Sequence, residues 1–154
     1  MELQQRGQQS KTALSNELPD IAIPSLITLP PATEKTYHGV RLSGGKCEVW
    51  IEEPLIPALS EQIRRWWHSL PLHLEVFNHS PAGFEWGYGG SGPAQLALAL
   101  LMDATGDERL ALRNYQDFKF RFVADWGETW RISAKEIQDF AAKNISDIEE
   151  FTTD

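Results

Sequence analysis

The chain has 154 residues, of which 42% are hydrophobic and 23% charged, a composition typical of a soluble globular protein with one domain. Its formal net charge of −8 indicates no basic face that could follow a phosphate backbone, so we expect no direct nucleic-acid binding. The single cysteine, Cys47, excludes an internal disulfide and suits a reducing compartment. No apolar run is long enough to cross a bilayer, and the polar N-terminus lacks the apolar core of a signal peptide. We therefore expect a cytoplasmic protein that does not bind membranes.

The first 35 residues are predicted to form a flexible or extended arm. Residues 1–18 are polar and aperiodic, which is typical of a disordered segment. Residues 21–31, IAIPSLITLPP, are apolar, but their prolines exclude a helix and confine any strand to a sheet edge. This segment is either a packed linker or a contact for a partner protein. In the second case the candidate contacts are Ile21, Ile23 and Ile27.

A β-hairpin is predicted after the arm. Residues 36–42 and 46–52 flank Ser43-Gly44-Gly45, which is a strong turn signal. Apolar and polar side chains alternate in the second strand, and Cys47 falls in the apolar set. The thiol of Cys47 should therefore face the core, where a cysteine is usually inert.

An amphipathic helix is predicted over residues 57–69, because apolar residues from Leu59 to Leu70 recur at helical spacing. Trp66 and Trp67 are adjacent within it, so both cannot occupy the centre of one apolar stripe. They either cover the edge of the core or form an aromatic contact surface. Both are candidate partner-binding residues.

A buried helix is predicted over residues 93–105. It follows a stretch with four glycines between residues 87 and 92, a composition that favours a tight turn. Pro93 suits the first helical position, and Ser91 or Gly92 is the expected N-cap. Gln95 is the only polar side chain between residues 94 and 102, so the helix should lie at the centre of the core.

The remaining elements follow from the same rules. Residues 72–78 alternate as a strand does. Residues 107–124, with Asp107 as the expected N-cap, fit both a helix and, near their end, a strand; their length and the spacing of opposite charges favour the helix. A strand is expected over 127–132, and Ser133 with Glu136 forms a capping box that opens a helix over 134–147.

These elements predict an α+β fold. It consists of a small, mostly antiparallel sheet of three or four strands packed by about four helices, with the buried central helix after the glycine-rich loop. The domain should span residues 36–148, and residues 149–154 should form an acidic tail.

The glycine-rich loop is a candidate anion site, because its N–H groups precede a helix N-terminus. The candidate ligand-binding residues are Trp86, Tyr88, Gly90, Ser91 and Gly92, which combine backbone amides, a hydroxyl and two aromatic rings. The loop matches neither a P-loop, since no lysine follows it, nor a dinucleotide fingerprint, since its glycine spacing differs. The alternative is that the glycines only permit close packing.

No catalytic or metal site is predicted. His79, Glu85 and Ser91 include the residue types of a hydrolytic triad, but their order and spacing match no nucleophile elbow. The four histidines are scattered singly, without the spacing of zinc ligands. We therefore expect no cofactor and no metal.

The run HSPAGFEWGYGGSGPAQLALALL, residues 79–101, together with YQDFKF at 115–120 and WRISAKEI at 130–137, resembles a family of short bacterial, plasmid and phage proteins that is a domain of unknown function. The shared motif has the form HSPxGFxWGYGGSGPAQLALALL, and the resemblance covers roughly residues 37–140. It implies a compact cytoplasmic domain often carried on mobile elements, with no reaction and no catalytic residue.

Two function classes are therefore in view. The first is a non-catalytic interaction protein of mobile-element or phage type that binds a host protein, in the form of a counter-defence inhibitor. The second is a module or enzyme that holds a small anionic ligand, such as a phosphate or nucleotide, at the glycine-rich loop.

Overall fold

The computed structural model describes residues 35–54 and 65–150, with side chains described through residue 144. These residues form an α+β fold with four strands, three α-helices and one short 3-10 turn, which confirms the predicted fold class. The predicted N-terminal arm before residue 35 lies outside the described residues. In chain order the elements are β1 (Thr36–Arg41), β2 (Cys47–Pro54), β3 (Arg65–Ser69), α1 (Ser91–Thr105), α2 (Glu108–Arg121), the 3-10 turn (Val123–Asp125), β4 (Thr129–Ser133) and α3 (Ala134–Glu150).

The four strands form one antiparallel sheet in the order β3-β2-β1-β4. The predicted β1–β2 hairpin is confirmed, and its turn has φ values of 98° at Gly44 and 85° at Gly45, which favour glycine. Tyr37 pairs with Ile51 on one side and with Ile132 on the other, and all three side chains are buried. This inner face of the sheet meets the helices, and the alternate residues form the outer face.

Helix α1 lies at the centre of the core, since every residue from Gly92 to Leu101 is buried. It begins two residues earlier than predicted, because Gly90 is the N-cap rather than Ser91 or Gly92. Gly106 ends the helix with φ 66°, as the position of that glycine predicts.

Helices α2 and α3 begin at the predicted caps. The side chain of Asp107 accepts a hydrogen bond from the N–H of Leu110 at 3.0 Å, which confirms a helix after residue 107. The N–H of Ser133 donates to the Glu136 carboxylate at 2.8 Å, and the N–H of Glu136 donates to the Ser133 hydroxyl at 3.2 Å. Helix α3 continues to Glu150, past the predicted end at residue 147 and into the first two residues of the predicted acidic tail; residues 151–154 lie outside the described part.

The predicted helix over residues 57–69 is wrong over its last five residues, which form strand β3. The first part of that prediction, residues 57–64, lies outside the described residues. The spacing of the apolar residues suggested a helix, whereas residues 65–69 pair with β2 from Pro54 to Trp50. Tertiary pairing overrides local periodicity in such short segments.

The predicted strand over residues 72–78 is also wrong. This segment makes a turn in which the N–H groups of Val76 and Phe77 both donate to the carbonyl of His73, at 3.1 and 3.4 Å. His73 has φ 54°, which lies outside the β region. The segment therefore forms a turn instead of the extended strand that its alternating side chains suggest.

Gln95 on α1 fixes this turn to the core. Its Oε1 accepts hydrogen bonds from the N–H groups of His79 at 2.7 Å and Ser80 at 3.1 Å. Its Nε2 donates to the carbonyls of Leu72 at 2.6 Å and Phe77 at 3.0 Å. The side chain is fully buried, so one amide satisfies four backbone groups of a loop that has no ladder of its own.

Replacing this amide should destabilise the whole fold. We expect Gln95→Leu to lower the free energy of unfolding by about 2–5 kcal/mol, because two backbone N–H groups and two carbonyls lose their partners inside the protein. The measurement is the urea midpoint and slope of the purified protein. Gln138→Leu is the matched control: its Nε2 makes a single bond, to the carbonyl of Ala104 at 2.6 Å. Equal losses in the two variants would show that the loop does not depend on Gln95.

Candidate functional site: an aromatic sheet edge and a closed glycine loop

Strand β3 presents two tryptophans to solvent. Side chains of successive residues point to opposite faces of a sheet, so Trp67 lies on the outer face and Trp66 on the inner side. Trp66 is 53% exposed and Trp67 is 48% exposed. Neighbouring large indoles that are both exposed are uncommon, and contiguous exposed apolar patches are a frequent feature of interaction sites.

Each of the two indoles packs against a histidine. Trp67 lies across the sheet from His38 of β1, with ring centroids 4.8 Å apart. Trp66 stacks on His68 of its own strand, with centroids 4.3 Å apart and planes inclined by 25°. These contacts restrict the orientations of the indoles without covering them.

Two glutamates on β2 form hydrogen bonds with these histidines, one on each face of the sheet. His38 Nε2 lies 2.7 Å from Glu52 Oε2, and Arg65 Nε donates to Glu52 Oε1 at 3.1 Å. His68 Nε2 lies 2.8 Å from Glu53 Oε1. Partial burial opposes the ionisation of Glu53, but hydrogen bonding to His68 and a nearby lysine outweigh it and hold the pKa of Glu53 below its ordinary value.

A third indole extends this surface. Trp50 of β2 lies on the outer face opposite Ser69 of β3 and His38 of β1, and it is 37% exposed. We call the exposed side chains of Trp50, Trp66 and Trp67 the tryptophan surface. The sequence analysis missed Trp50, although the signal was present, since an aromatic residue stands in the polar phase of an alternating strand.

The tryptophan surface adjoins an apolar cleft of about 320 Å³ at the point where β3 leaves the sheet. The cleft shares Trp50 with the surface, and its walls are otherwise mainly apolar. A cleft of this size accommodates one or two side chains of a partner. Its lining includes Cys47, Val49, Ser69, Leu70, Leu72 and Phe84.

The glycine-rich loop has a different character, because its aromatic residues are used within the protein. Trp86 is 1% exposed, its Nε1 donates to the carbonyl of Gly127 at 2.6 Å, and its ring meets Trp130 edge-on. Tyr88 is exposed, but its hydroxyl donates to the Glu85 carboxylate. That bond and the negative charge of Glu85 raise the pKa of Tyr88 to about 12.

The loop backbone is packed from both sides. A Cβ on Gly90 would lie 2.4 Å from the Tyr88 ring, and one on Gly92 would lie 2.7 Å from the Cβ of Glu85. Ser91 between them is exposed, and its hydroxyl makes no cap to α1. The structure therefore brings Tyr88, Gly90, Ser91 and Gly92 together at the start of α1 and places Trp86 in the core.

A buried lysine on α2 forms a hydrogen bond with the glycine-rich loop. Lys119 of α2 is 5% exposed, and its ammonium donates to the carbonyl of Gly89 at 3.1 Å. Phe120 covers Gly89, where an added Cβ would lie 3.1 Å from its ring. Among the described residues, no carboxylate forms an ion pair with Lys119.

The histidines serve local contacts rather than a common centre. His73 bonds Glu75, and His79 bonds the hydroxyl of Tyr115 at 3.0 Å while stacking on Phe77. The described residues contain no group of three or more His, Cys, Asp or Glu side chains that could hold a metal ion. They also contain no helix with the length and apolar character that a bilayer crossing requires.

The fold and this surface define a small α+β protein with an exposed aromatic edge. The model of a family of unknown function, DUF6166, matches residues 37–143, which is well over half of the chain. The chain therefore belongs to the DUF6166 family. Neither the curated proteins nor the solved structures include one that matches it.

The environment of His79 predicts a dependence of stability on pH. Burial, and then the positive charge of Lys119, lower the pKa of His79, because both disfavour the imidazolium. The unfolded chain, with an ordinary pKa of about 6.5, then takes up a proton more readily than the folded protein as the pH falls. The contribution of neutral His79 to stability is thus present above about pH 6.5 and lost as the pH falls through the folded pKa.

We therefore expect the free energy of unfolding to fall between pH 7.5 and 5.5, and to fall less steeply in His79→Phe, which keeps an aromatic ring on Phe77 but does not titrate. The measurement is a urea titration at each pH. Ring resonances of His79 followed by NMR are the direct check, and a pKa at or above that of free histidine would contradict the prediction.

Proposed function

We propose that this protein is a non-catalytic interaction protein that binds a host protein through the tryptophan surface. The observation that carries the proposal is the exposure of Trp66 and Trp67 on a terminal strand of the sheet. Buried against a partner, each indole would remove a large apolar area from water, and tryptophan is the residue most enriched among energetic hot spots.

The geometry supports docking in a second way. The N–H of Leu70 donates to the carbonyl of Val49, so every second residue of β3, counted back from Leu70, directs its N–H and carbonyl towards β2. The N–H and carbonyl of Trp67 therefore point to the opposite edge of β3, away from β2. An extended segment of a partner could pair with this edge while its side chains meet the indoles and the adjoining cleft. Backbone pairing then supplies orientation, and the pockets supply specificity.

The family resemblance supports a specific setting for this docking. Short proteins of plasmids and phages often act by obstructing a host protein, and such a role needs a contact surface but no catalytic group. The specific form we propose is a counter-defence inhibitor carried on a mobile element, with a host defence protein as the partner.

Truncation of one indole tests the proposal. Affinity capture from a host lysate identifies the partner, and titration of the purified pair measures Kd. We expect Trp67→Ala to weaken binding by about 30-fold, the equivalent of about 2 kcal/mol for a hot-spot residue. Phe120→Ala is the control, since Phe120 is 62% exposed on α2 outside the proposed surface. Equal affinities of wild type and Trp67→Ala would disprove the proposal.

A second candidate function, binding of a small anionic ligand at the glycine-rich loop, is favoured by Lys119. A buried ammonium that bonds one carbonyl and no carboxylate retains donors for a phosphate. The exposed Ser91 is the first residue of α1, at the positive end of the helix, and it follows Gly89 by two residues. Against it, Tyr88 and Glu85 already close the loop, and the Glu85 carboxylate would repel an anion.

Calorimetry with inorganic phosphate and with ATP distinguishes the two functions. We expect no binding at millimolar or lower concentration. Ser91→Asp is a cleaner block than Gly90→Asp, because Gly90 lies against the Tyr88 ring whereas an acidic residue in the first helical turn is compatible with the fold. Heat of binding in wild type that is lost in both Ser91→Asp and Lys119→Met would establish the loop as the site and replace our preferred function.

A further inference from the structure

The two edges of the sheet differ in character. At the edge formed by β4, Trp130 and Ile132 are buried, and the exposed residues are polar, among them Arg131. At the other edge, Trp66 and Trp67 are exposed, and β3 pairs with β2 alone among the residues that the structure describes. Unpaired backbone groups attract other strands unless charge or a covering segment prevents it. The β3 edge combines such groups with apolar side chains, so it is the edge open to another strand.

The outward backbone groups of β3 are arranged symmetrically along the strand. The N–H and carbonyl of Trp67 point away from β2, and those of Arg65 and Ser69 do the same, because they lie two residues away on either side. Trp67 is thus the centre of a five-residue strand with three outward residues. Such a strand can pair with a second copy of itself about a two-fold axis.

One register of this pairing uses the whole strand. In an antiparallel pair each outward residue lies opposite another outward residue, so in a symmetric pair one residue lies opposite its own copy. An axis at Trp67 pairs all five residues of β3, with Arg65 opposite Ser69 of the second copy. An axis at Trp66 or at His68 would pair only three residues of each copy.

The register centred on Trp67 brings complementary side chains together. On the outer face Trp67 lies directly opposite Trp67 of the second copy, and aromatic pairs of this kind stabilise adjacent strands. On the inner side Trp66 lies opposite His68 of the second copy. Within each copy Trp66 already stacks on His68, with ring centroids 4.3 Å apart. The pairing therefore extends an indole–imidazole stack that is present in each copy.

The charges of β3 are compatible with this register. Arg65 lies opposite Ser69 of the second copy, which is small and uncharged. The two copies of Arg65 are four residues apart along the paired strands, or about 14 Å, a separation at which salt screens most of their repulsion. Each Arg65 also has a compensating charge in its own chain, since its Nε donates to Glu52 at 3.1 Å.

The fold leaves room for a second copy at this edge. Helix α3 packs near β4, at the opposite edge of the sheet, and 53% of Trp66 is exposed on the inner side of β3. A tryptophan buries up to about 250 Å², so the four half-exposed indoles of two copies contribute about 500 Å² of the roughly 1,000 Å² that a specific interface needs. The paired backbones and the side chains of Arg65 and Ser69 add to this area. The interface is small, so the association should be reversible.

We infer that this protein forms a symmetric dimer in which two β3 strands pair about Trp67 and join the two sheets into one. The dimer covers the indoles of the tryptophan surface. Its consequence, that a partner must compete with the second copy, rests on the proposed function. The dimer itself can be tested without any partner, so its failure and the failure of the proposed function are separate results.

Sedimentation equilibrium of the full chain tests the association. We expect wild type to dimerise with a Kd below about 0.5 mM, as suits a small interface. Trp67→Lys should weaken the association at least about tenfold, because it removes the central aromatic pair and opposes two ammonium groups. Position 67 pairs with Glu52 of β2, so a lysine there is compatible with the fold. Phe120→Lys is the matched control, since Phe120 is 62% exposed on α2, and it should associate as wild type does.

Cross-linking tests the register without altering Trp67. Trp66→Cys and His68→Cys are prepared as separate proteins, each with Cys47→Ser. The inferred dimer places these two positions directly opposite, with Cα atoms about 4.5 Å apart, which a disulfide can bridge. Two copies of one variant place their cysteines diagonally, about 7–8 Å apart. With oxidised glutathione, the mixture should therefore cross-link at least about tenfold faster than either variant alone.

Three outcomes would overturn the inference: wild type that remains monomeric at about 1 mM, equal association of Trp67→Lys and Phe120→Lys, or equal cross-linking of the mixture and the single variants. A monomeric wild type that binds its host partner through Trp67 would remove only the dimer. A dimer whose Trp67→Ala variant binds the partner as wild type does would remove only the proposed function.

Discussion

The side chain of Gln95 is the constraint on which the rest of the structure depends. A buried amide on an otherwise apolar helix is costly unless it is bonded, and here it makes four hydrogen bonds to the backbone of residues 72–80. That loop connects the end of β3 to the glycine-rich stretch, so Gln95 fixes the connection between the two candidate sites, while pairing with β2 places β3 itself. Residues 72–80 do not pair with a strand, so the Gln95 side chain on α1 bonds backbone N–H and carbonyl groups that strand pairing would otherwise satisfy.

The glycine-rich stretch is explained by the same closeness to α1. Gly92 is needed because the backbone and Cβ of Glu85 lie directly over it, whereas a side chain at Gly90 would have to displace the exposed Tyr88 ring. Gly87, Gly89, Gly90 and Gly92 each lie against another group of the protein, so the glycines of this motif have a packing role. Lys119 adds a buried positive charge that is compensated without a carboxylate, since its ammonium bonds the Gly89 carbonyl and lies 4.1 Å from the centre of the Phe120 ring.

Sequence reasoning predicted the elements whose signals are local. The turn glycines of the β1–β2 hairpin, the cap at Asp107 and the capping box at Ser133 each specify a backbone geometry by themselves. It failed at residues 65–69 and 72–78, where apolar spacing fitted a helix and a strand but the outcome depends on pairing with β2 and on Gln95. For the candidate site, it proposed Trp66 and Trp67 as contact residues but placed them on a helix, whereas they lie on strand β3. It could not bring Trp50 and His38 to them, because strand register joins residues distant in sequence.

The strand assignment changes what the paired tryptophans mean. On a helix, one of two adjacent indoles could be turned towards the core; on an edge strand they point to opposite faces, and a single layer of helices covers only one of those faces. Trp66, although on the inner side, is more exposed than Trp67, so it lies beyond the reach of the core that buries Ile51 and Tyr37. Neither indole therefore gains much stability from burial within the described fold, whereas a charged residue at either position would protect the edge from unwanted pairing. An edge built in this way contributes little to stability and leaves two indoles accessible, which is the physical reason for proposing a binding role for β3 rather than for the glycine-rich loop.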